Sequence, residues 1–238
     1  MQNSTINAGN GAVVQKGESS NGNGNDNSSE TQCGVLPPMA AGANPINKKT
    51  LVLDLDGTLV HVTTTPMKGG YDFSITFKGR ERPSFYVLKR PGVDELLQQL
   101  GATGLYEIVV FTAASRIYAN ALVDCLLDSL PETDSSHNNG NRNIIPRSHR
   151  LASEYCRKVE GVHHAVKDLS LLGRDLKNVI FVDDRPSSYY LQPRNAIPIK
   201  LWKGNNYKDK TLFKILSFCL ENADSTTDVR DLISDYLS

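Results

Sequence analysis

Two carboxylates two residues apart, Asp54 and Asp56, follow the apolar run Thr50-Leu51-Val52-Leu53 and lead into Gly57-Thr58. Side chains at i and i+2 of an extended chain lie on one side of it, and the turn at Gly57 then redirects the second carboxylate. A carboxylate at a strand tip beside a metal ion can attack phosphorus and become an aspartyl-phosphate. A second carboxyl nearby can protonate the departing alkoxide and later deprotonate the water that clears the intermediate. Gly57 lets the backbone turn sharply and come close to a phosphate. The plainer reading is a turn and helix-cap cluster, for which Asp and Gly are also favoured.

Further along, Asp183 and Asp184 are adjacent acids behind the apolar run Val179-Ile180-Phe181-Val182. Like charges so placed are costly unless a cation or hydrogen-bond donors compensate. Hard oxygen ligands select Mg²⁺. The alternative is a capping pair before Pro186. Thr112 closes another apolar run, Tyr106–Phe111, where a hydroxyl and nearby backbone N–H groups can hold phosphoryl oxygens. Lys167, just before Asp168-Leu169-Ser170, can add one positive charge to those oxygens. On its own a Thr in such a place is a cap and a Lys is solvated surface. The five histidines show no metal-ligand spacing, and none is assigned a role.

The elements that must carry these residues alternate. Apolar runs at 50–55, 106–111 and 179–182 have the continuous character of strands covered on both faces of a parallel sheet, with a fourth at 197–201. The alternating segments 71–77 and 85–88, joined by Lys78-Gly79-Arg80-Glu81-Arg82-Pro83, predict a β-hairpin. Helices are expected from Pro91 to Leu100, with Pro91 near the first helical position, and over 116–130, 168–172, 210–220 and 229–237. Residues 144–155 are ambiguous, with a short strand as one reading. Alternating strands and helices imply an α/β, doubly wound parallel sheet, in which ligands bind beyond the carboxyl ends of the strands. The three polar clusters therefore converge on one crevice.

Composition bounds the rest. Residues 1–47 are rich in Asn, Gly and Ser and contain no aromatic residue, so this segment is expected to be disordered, with the folded domain at 48–238. The polar stretch 131–143 is expected to be a surface loop. The 238 residues carry 26 basic and 26 acidic side chains, a balance that argues against direct nucleic-acid binding through a broad positive face. Four cysteines without paired spacing read as reduced thiols. There is no apolar leader and no stretch of the ~18 residues a bilayer span needs, so no membrane is expected, and a soluble protein of nucleus or cytoplasm is.

Several of these segments also resemble a known family. The strand leading into Asp54-Leu55-Asp56-Gly57-Thr58 is similar to the first motif of the haloacid dehalogenase (HAD) superfamily. Leu53–His61, Tyr86–Pro91, Phe111–Ala113, Val166–Asp175 and Val182–Pro186, in that order, resemble its FCP-homology, or small C-terminal-domain phosphatase-like, branch over roughly residues 48–222. The resemblance implies a Rossmann-like fold with a small β-hairpin insertion. It also implies a Mg²⁺-dependent protein serine phosphatase acting on phosphoserine such as that of the RNA polymerase II C-terminal repeats. By it Asp54 is the nucleophile and Asp56 the acid/base, whose backbone carbonyl also binds Mg²⁺. Thr112 and Lys167 cradle the phosphoryl group. Asp184 is the direct metal ligand with Asp183 beside it, completing a metal set with Asp54 and Asp56, and Tyr118 faces a substrate proline. Gly57 stands where close relatives usually have Glu, and Asp183-Asp184-Arg185 where they usually have Asp-Asn. Two alternatives remain open: a phosphatase of small phosphorylated metabolites, for which the segment Leu59 to Val110 looks too modest to form a separate lid, and a scaffold member without catalysis, for which the presence of both Asp54 and Asp56 is unfavourable.

Overall fold

The computed structural model describes residues 34–39, 48–131 and 143–238. Along the chain run β1 (Lys49–Leu53), β2 (Val60–Thr63), β3 (Phe73–Ile75), β4 (Phe85–Lys89), α1 (Val93–Thr103), β5 (Tyr106–Phe111) and α2 (Arg116–Asp128). After them come β6 (Arg150–Leu151), β7 (Val179–Asp183), β8 (Ala196–Pro198), α3 (Thr211–Glu221) and α4 (Val229–Leu237), with 3₁₀ turns between.

Parallel pairing orders the main sheet β6-β5-β1-β7-β8. The chain builds outward from β1 on one side through β5 and β6, then on the other through β7 and β8. The winding direction reverses beside β1, and a doubly wound sheet opens its binding crevice at that point. Register puts Leu53 opposite Val110 on one neighbour and Val182 on the other, so the three strands end level. Every residue of β1, β5 and β7 is buried, as strands covered on both faces must be.

Alternation along the strands divides the core. Leu51, Leu53, Ile108, Val110, Ile180 and Val182 pack with the apolar faces of all four helices. Val52, Val109, Phe111, Val179 and Phe181 face the other way, onto Leu169 and Leu172 of a 3₁₀ turn and onto Leu36. Residues 34–39 lie in the stretch expected to lack order, yet Leu36 is only 4% exposed. The Val35 N–H donates to Leu171 O at 2.8 Å and Arg174 donates to Pro37 O at 2.6 Å. A buried leucine and these hydrogen bonds anchor a short segment whose composition predicted none of this. Residues 1–33 and 40–47 lie outside the described residues, as does 132–142, nearly all of the expected polar loop.

The expected hairpin forms between β3 and β4 and is larger than the sequence indicated: β2 adds to it, giving an antiparallel sheet in the order β2-β4-β3. Val60-His61-Val62-Thr63 alternates in type, but it follows the acidic motif so closely that it read as part of it. Helix α1 also begins later than expected. Gly92 precedes it with φ 90°, and a Cβ there would sit 3.0 Å from the Phe213 ring, so the chain turns at the glycine and Pro91 stays outside the helix. The ambiguous 144–155 region resolves into 3₁₀ turns flanking the two-residue β6.

Candidate active site

The crevice at the end of β1 holds a lysine between two carboxylates. Lys167 Nζ donates to Asp54 Oδ1 and to Asp183 Oδ2, both at 2.6 Å. Lys167 is 2% exposed, and its backbone N–H is pinned to Ser188 O at 2.8 Å. Burial works against its charge, but the two carboxylates outweigh burial and raise its pKa, so it stays protonated. Asp183 spends its remaining oxygen on the Arg185 N–H at 2.7 Å. Burial pushes the Asp183 carboxyl up, to about 6, against the pull of Lys167. The second carboxylate oxygen of Asp54 accepts no hydrogen bond among the described residues.

Asp184 completes the cluster. Ligand oxygens of Asp54, Asp183 and Asp184 lie within 4.8 Å of one another. Asp184 Oδ1 is buried with no hydrogen-bond partner, an arrangement whose desolvation cost calls for a compensating cation. Burial, and then the nearby Asp54, raise the Asp184 carboxyl despite Arg185. Three carboxylates against one ammonium leave net negative charge in a largely dry pocket. A divalent cation with a preference for oxygen fits that donor set and that charge.

Asp56 stands apart from this trio. Its Oδ1 accepts a 2.5 Å hydrogen bond from the Tyr118 hydroxyl. Burial is the larger influence and raises its pKa, while the Tyr118 bond opposes it. Asp56 can therefore hold a proton more readily than a free carboxyl, and the Tyr118 bond fixes how it points. The turn that presents it is tight, with Thr58, Leu59 and Val60 all donating their N–H groups to Leu55 O. Gly57 has φ 88°, and a Cβ there would stand 3.3 Å from Asp184 Oδ1 and 2.3 Å from the tip of Leu201. The glycine thus serves both the left-handed turn and the close approach to the acidic cluster.

Thr112, 2% exposed, follows β5 directly. Its own N–H is committed to Leu151 O at 2.9 Å. Its hydroxyl accepts the Ala114 N–H at 3.1 Å, which leaves the O–H hydrogen to donate elsewhere. Tyr118 projects from the first turn of α2 and stacks edge-on against Phe85 at 5.1 Å. Asp56, Val62, Thr64, Phe85, Ser115 and Tyr118 line a cavity of about 430 Å³ alongside the acid.

The sequence profile described as NLI interacting factor-like phosphatase matches residues 49–230. The chain belongs to this family. Among curated relatives, it is 39% identical over 201 residues to an uncharacterized protein of Schizosaccharomyces pombe, covering 84% of this chain and 54% of that one. It is 36% identical over 179 residues to Phosphatase PSR1 of Saccharomyces cerevisiae, covering 75% and 37%. It is 38% identical over 179 residues to the human carboxy-terminal domain RNA polymerase II polypeptide A small phosphatase 1, covering 75% and 60%. The chain spans less than two thirds of the length of each.

One residue that holds this family member's site together was only part of a matching string in the sequence. Arg90 is 1% exposed and reaches under the acidic turn. Its Nη1 donates to Gly57 O and Thr58 O at 3.3 Å, and its Nε and Nη2 grip Asp209 at 3.1 Å. Trp202 N–H also donates to Gly57 O, at 2.9 Å. Asp209 and Trp202 lie more than a hundred residues from Arg90, and nothing local in the sequence marks them as part of this brace.

Proposed function

We propose that this chain is a Mg²⁺-dependent protein serine phosphatase working through an aspartyl-phosphate, on phosphoserine in protein segments like the RNA polymerase II C-terminal repeats. The observation that carries the reading is the Lys167 ammonium bridging Asp54 and Asp183 beside the unpartnered, buried Asp184 oxygen. Family membership and the phosphatase relatives support it.

In this mechanism an Asp54 carboxylate oxygen attacks phosphorus, and the bond from phosphorus to the serine oxygen breaks with its electron pair on that oxygen. Asp56 transfers its proton to the departing alkoxide, and the serine leaves. The Asp56 carboxylate then takes a proton from water, whose oxygen attacks the aspartyl-phosphate. Inorganic phosphate departs and both carboxyls return to their starting states. Lys167 orients Asp54 and, with the Thr112 hydroxyl, holds phosphoryl oxygens. Mg²⁺ would be held by Asp54, Asp184 and the Asp56 backbone carbonyl, with Asp183 behind them, and when bound it neutralises charge on the phosphoryl group. Tyr118 orients Asp56, and the cavity it shares with Phe85 and Val62 accepts an apolar residue, such as proline, next to the phosphoserine.

Among the described residues no helix is long and apolar enough to cross a membrane, and a nuclear or cytoplasmic phosphoprotein is the proposed partner. Phosphate release from a phosphoserine peptide, with Mg²⁺ and with EDTA, tests the whole reading. Asp54→Asn should abolish release by more than about a thousand-fold while leaving the fold intact. Near-normal release by that variant ends the nucleophile assignment.

A further inference from the structure

The hairpin that walls the active site carries arginines with nothing to do. Arg80 and Arg82 are exposed at the turn between β3 and β4, and neither guanidinium has a hydrogen bond or ion pair among the described residues. Apart from Arg185, which is beside the acidic cluster, every other described arginine is paired with a carboxylate. The unpaired guanidiniums are thus confined to the site and to this turn. Lys78 adds a third positive charge to the turn and Glu81 a single negative one.

This turn is continuous with the site. Thr64, Arg80, Glu81, Arg82, Ser84 and Phe85 line an open cavity of about 590 Å³. Thr64 and Phe85 line this cavity and also the one containing Asp56 and Tyr118. Phe85, common to both, is braced edge-on by Tyr118 at 5.1 Å and by Phe77 at 6.0 Å. The backbone of the turn is set by Arg80 N–H on Phe77 O at 3.0 Å and Ser84 N–H on Ile75 O at 2.8 Å. The groove therefore starts at the acid/base, runs along apolar rings and ends in guanidinium groups.

We infer that Arg80 and Arg82 form a subsite for a second phosphoryl group on the same substrate peptide. The inference rests on the phosphopeptide reading above and specifies it. Guanidinium matches phosphate with forked, charge-assisted hydrogen bonds. An extended peptide advances about 3.3 Å per residue. The spacing of the Tyr118, Phe85 and Phe77 rings, extended by the reach of an arginine side chain, corresponds to a second phosphate about three to five residues from the serine being dephosphorylated. Preferred substrates are then multiply phosphorylated segments, processed one site at a time.

The test uses three peptides: one with a single phosphoserine, and two with a second phosphoserine four residues before or after it. Dissociation constants are measured on the Asp54→Asn protein with Mg²⁺, and phosphate release on wild type. One doubly phosphorylated peptide should bind roughly ten-fold more tightly than the single one, allowing for the exposure of the arginines. The Arg80→Ala/Arg82→Ala variant should erase that gain and leave the singly phosphorylated peptide unchanged. Equal affinities for all three peptides, or a gain that survives the double substitution, overturns the subsite. Absence of phosphate release from every peptide by wild type sinks the phosphatase reading instead, and the affinities still decide whether the arginines bind phosphate.

Discussion

The Tyr118 hydroxyl donates to Asp56 Oδ1 at 2.5 Å, linking the first turn of α2 to the turn after β1. These residues are 62 positions apart in the chain. The phenol fixes the orientation of the carboxyl that faces the leaving serine in the proposed mechanism, and its ring is itself fixed by Phe85.

Tyr118→Phe keeps the ring stacking and removes only the donor. It should lower kcat roughly ten-fold on a phosphoserine peptide, because a general acid contributes fully only when aimed. Stability should change little, since Asp56 can turn toward water. Steady-state kinetics beside a thermal melt check both halves, and unchanged kcat would show that the hydrogen bond does not position the acid.

Mg²⁺ should raise the melting temperature of the wild-type protein, with EDTA as reference. Saturation at a hundred times the dissociation constant corresponds to about 2.7 kcal/mol. Asp184→Asn should remove that response. It should also leave the metal-free protein at least as stable as wild type, because burial and Asp54 both disfavour the Asp184 charge. A Mg²⁺ response that persists in Asp184→Asn would place the cation elsewhere.

Arg90→Met should destabilise the fold by about 3–5 kcal/mol, because it strips Asp209 of its ion-pair partner, takes from Thr58 O its donor and leaves Gly57 O only the Trp202 N–H. Arg90→Lys should recover only part of this, since an ammonium cannot reproduce the fork. Urea unfolding of the three proteins measures the cost.

At the opposite end of the strands, Glu107 accepts from Arg174 Nε at 2.8 Å and Nη2 at 2.7 Å and from Thr50 Oγ1 at 3.0 Å, and it pairs with His149 Nε2 at 2.9 Å. Burial would raise its pKa, but these partners prevail and bring it from 4.5 to about 2. The folded carboxyl thus holds its proton more weakly than the unfolded one. Its stabilisation, of order 3 kcal/mol, is complete above about pH 5 and is lost as pH falls toward 2. Unfolding free energies at pH 7, 5 and 3 should fall steeply at the acid end for wild type and less steeply for Glu107→Gln. Parallel pH dependences would remove this network from the acid response.

Much of the architecture was legible because it is local. β5 was readable to the residue from Tyr106-Glu107-Ile108-Val109-Val110-Phe111, and the acidic clusters were visible because each directly follows an apolar strand. Where local cues misled, a tertiary contact was responsible. Gly92 packs against Phe213 and displaces the start of α1, β2 finds its partner in β4, and Leu36 reaches the core from a segment whose composition predicts disorder.

By itself, the order of apolar runs and polar tips determined a parallel α/β sheet with Asp54, Asp56, Thr112, Asp183 and Asp184 gathered at one end, because strand periodicity and burial act over a few residues. Lys167 joined them only through the family resemblance. Only the tertiary structure decided the division of labour among them. Lys167 engages Asp54 and Asp183, Asp184 keeps an unpartnered oxygen, and Tyr118 takes Asp56. Those choices depend on distances of a few ångströms between residues tens to more than a hundred positions apart. Coulomb and hydrogen-bond energies change steeply over such distances, and sequence spacing does not encode them.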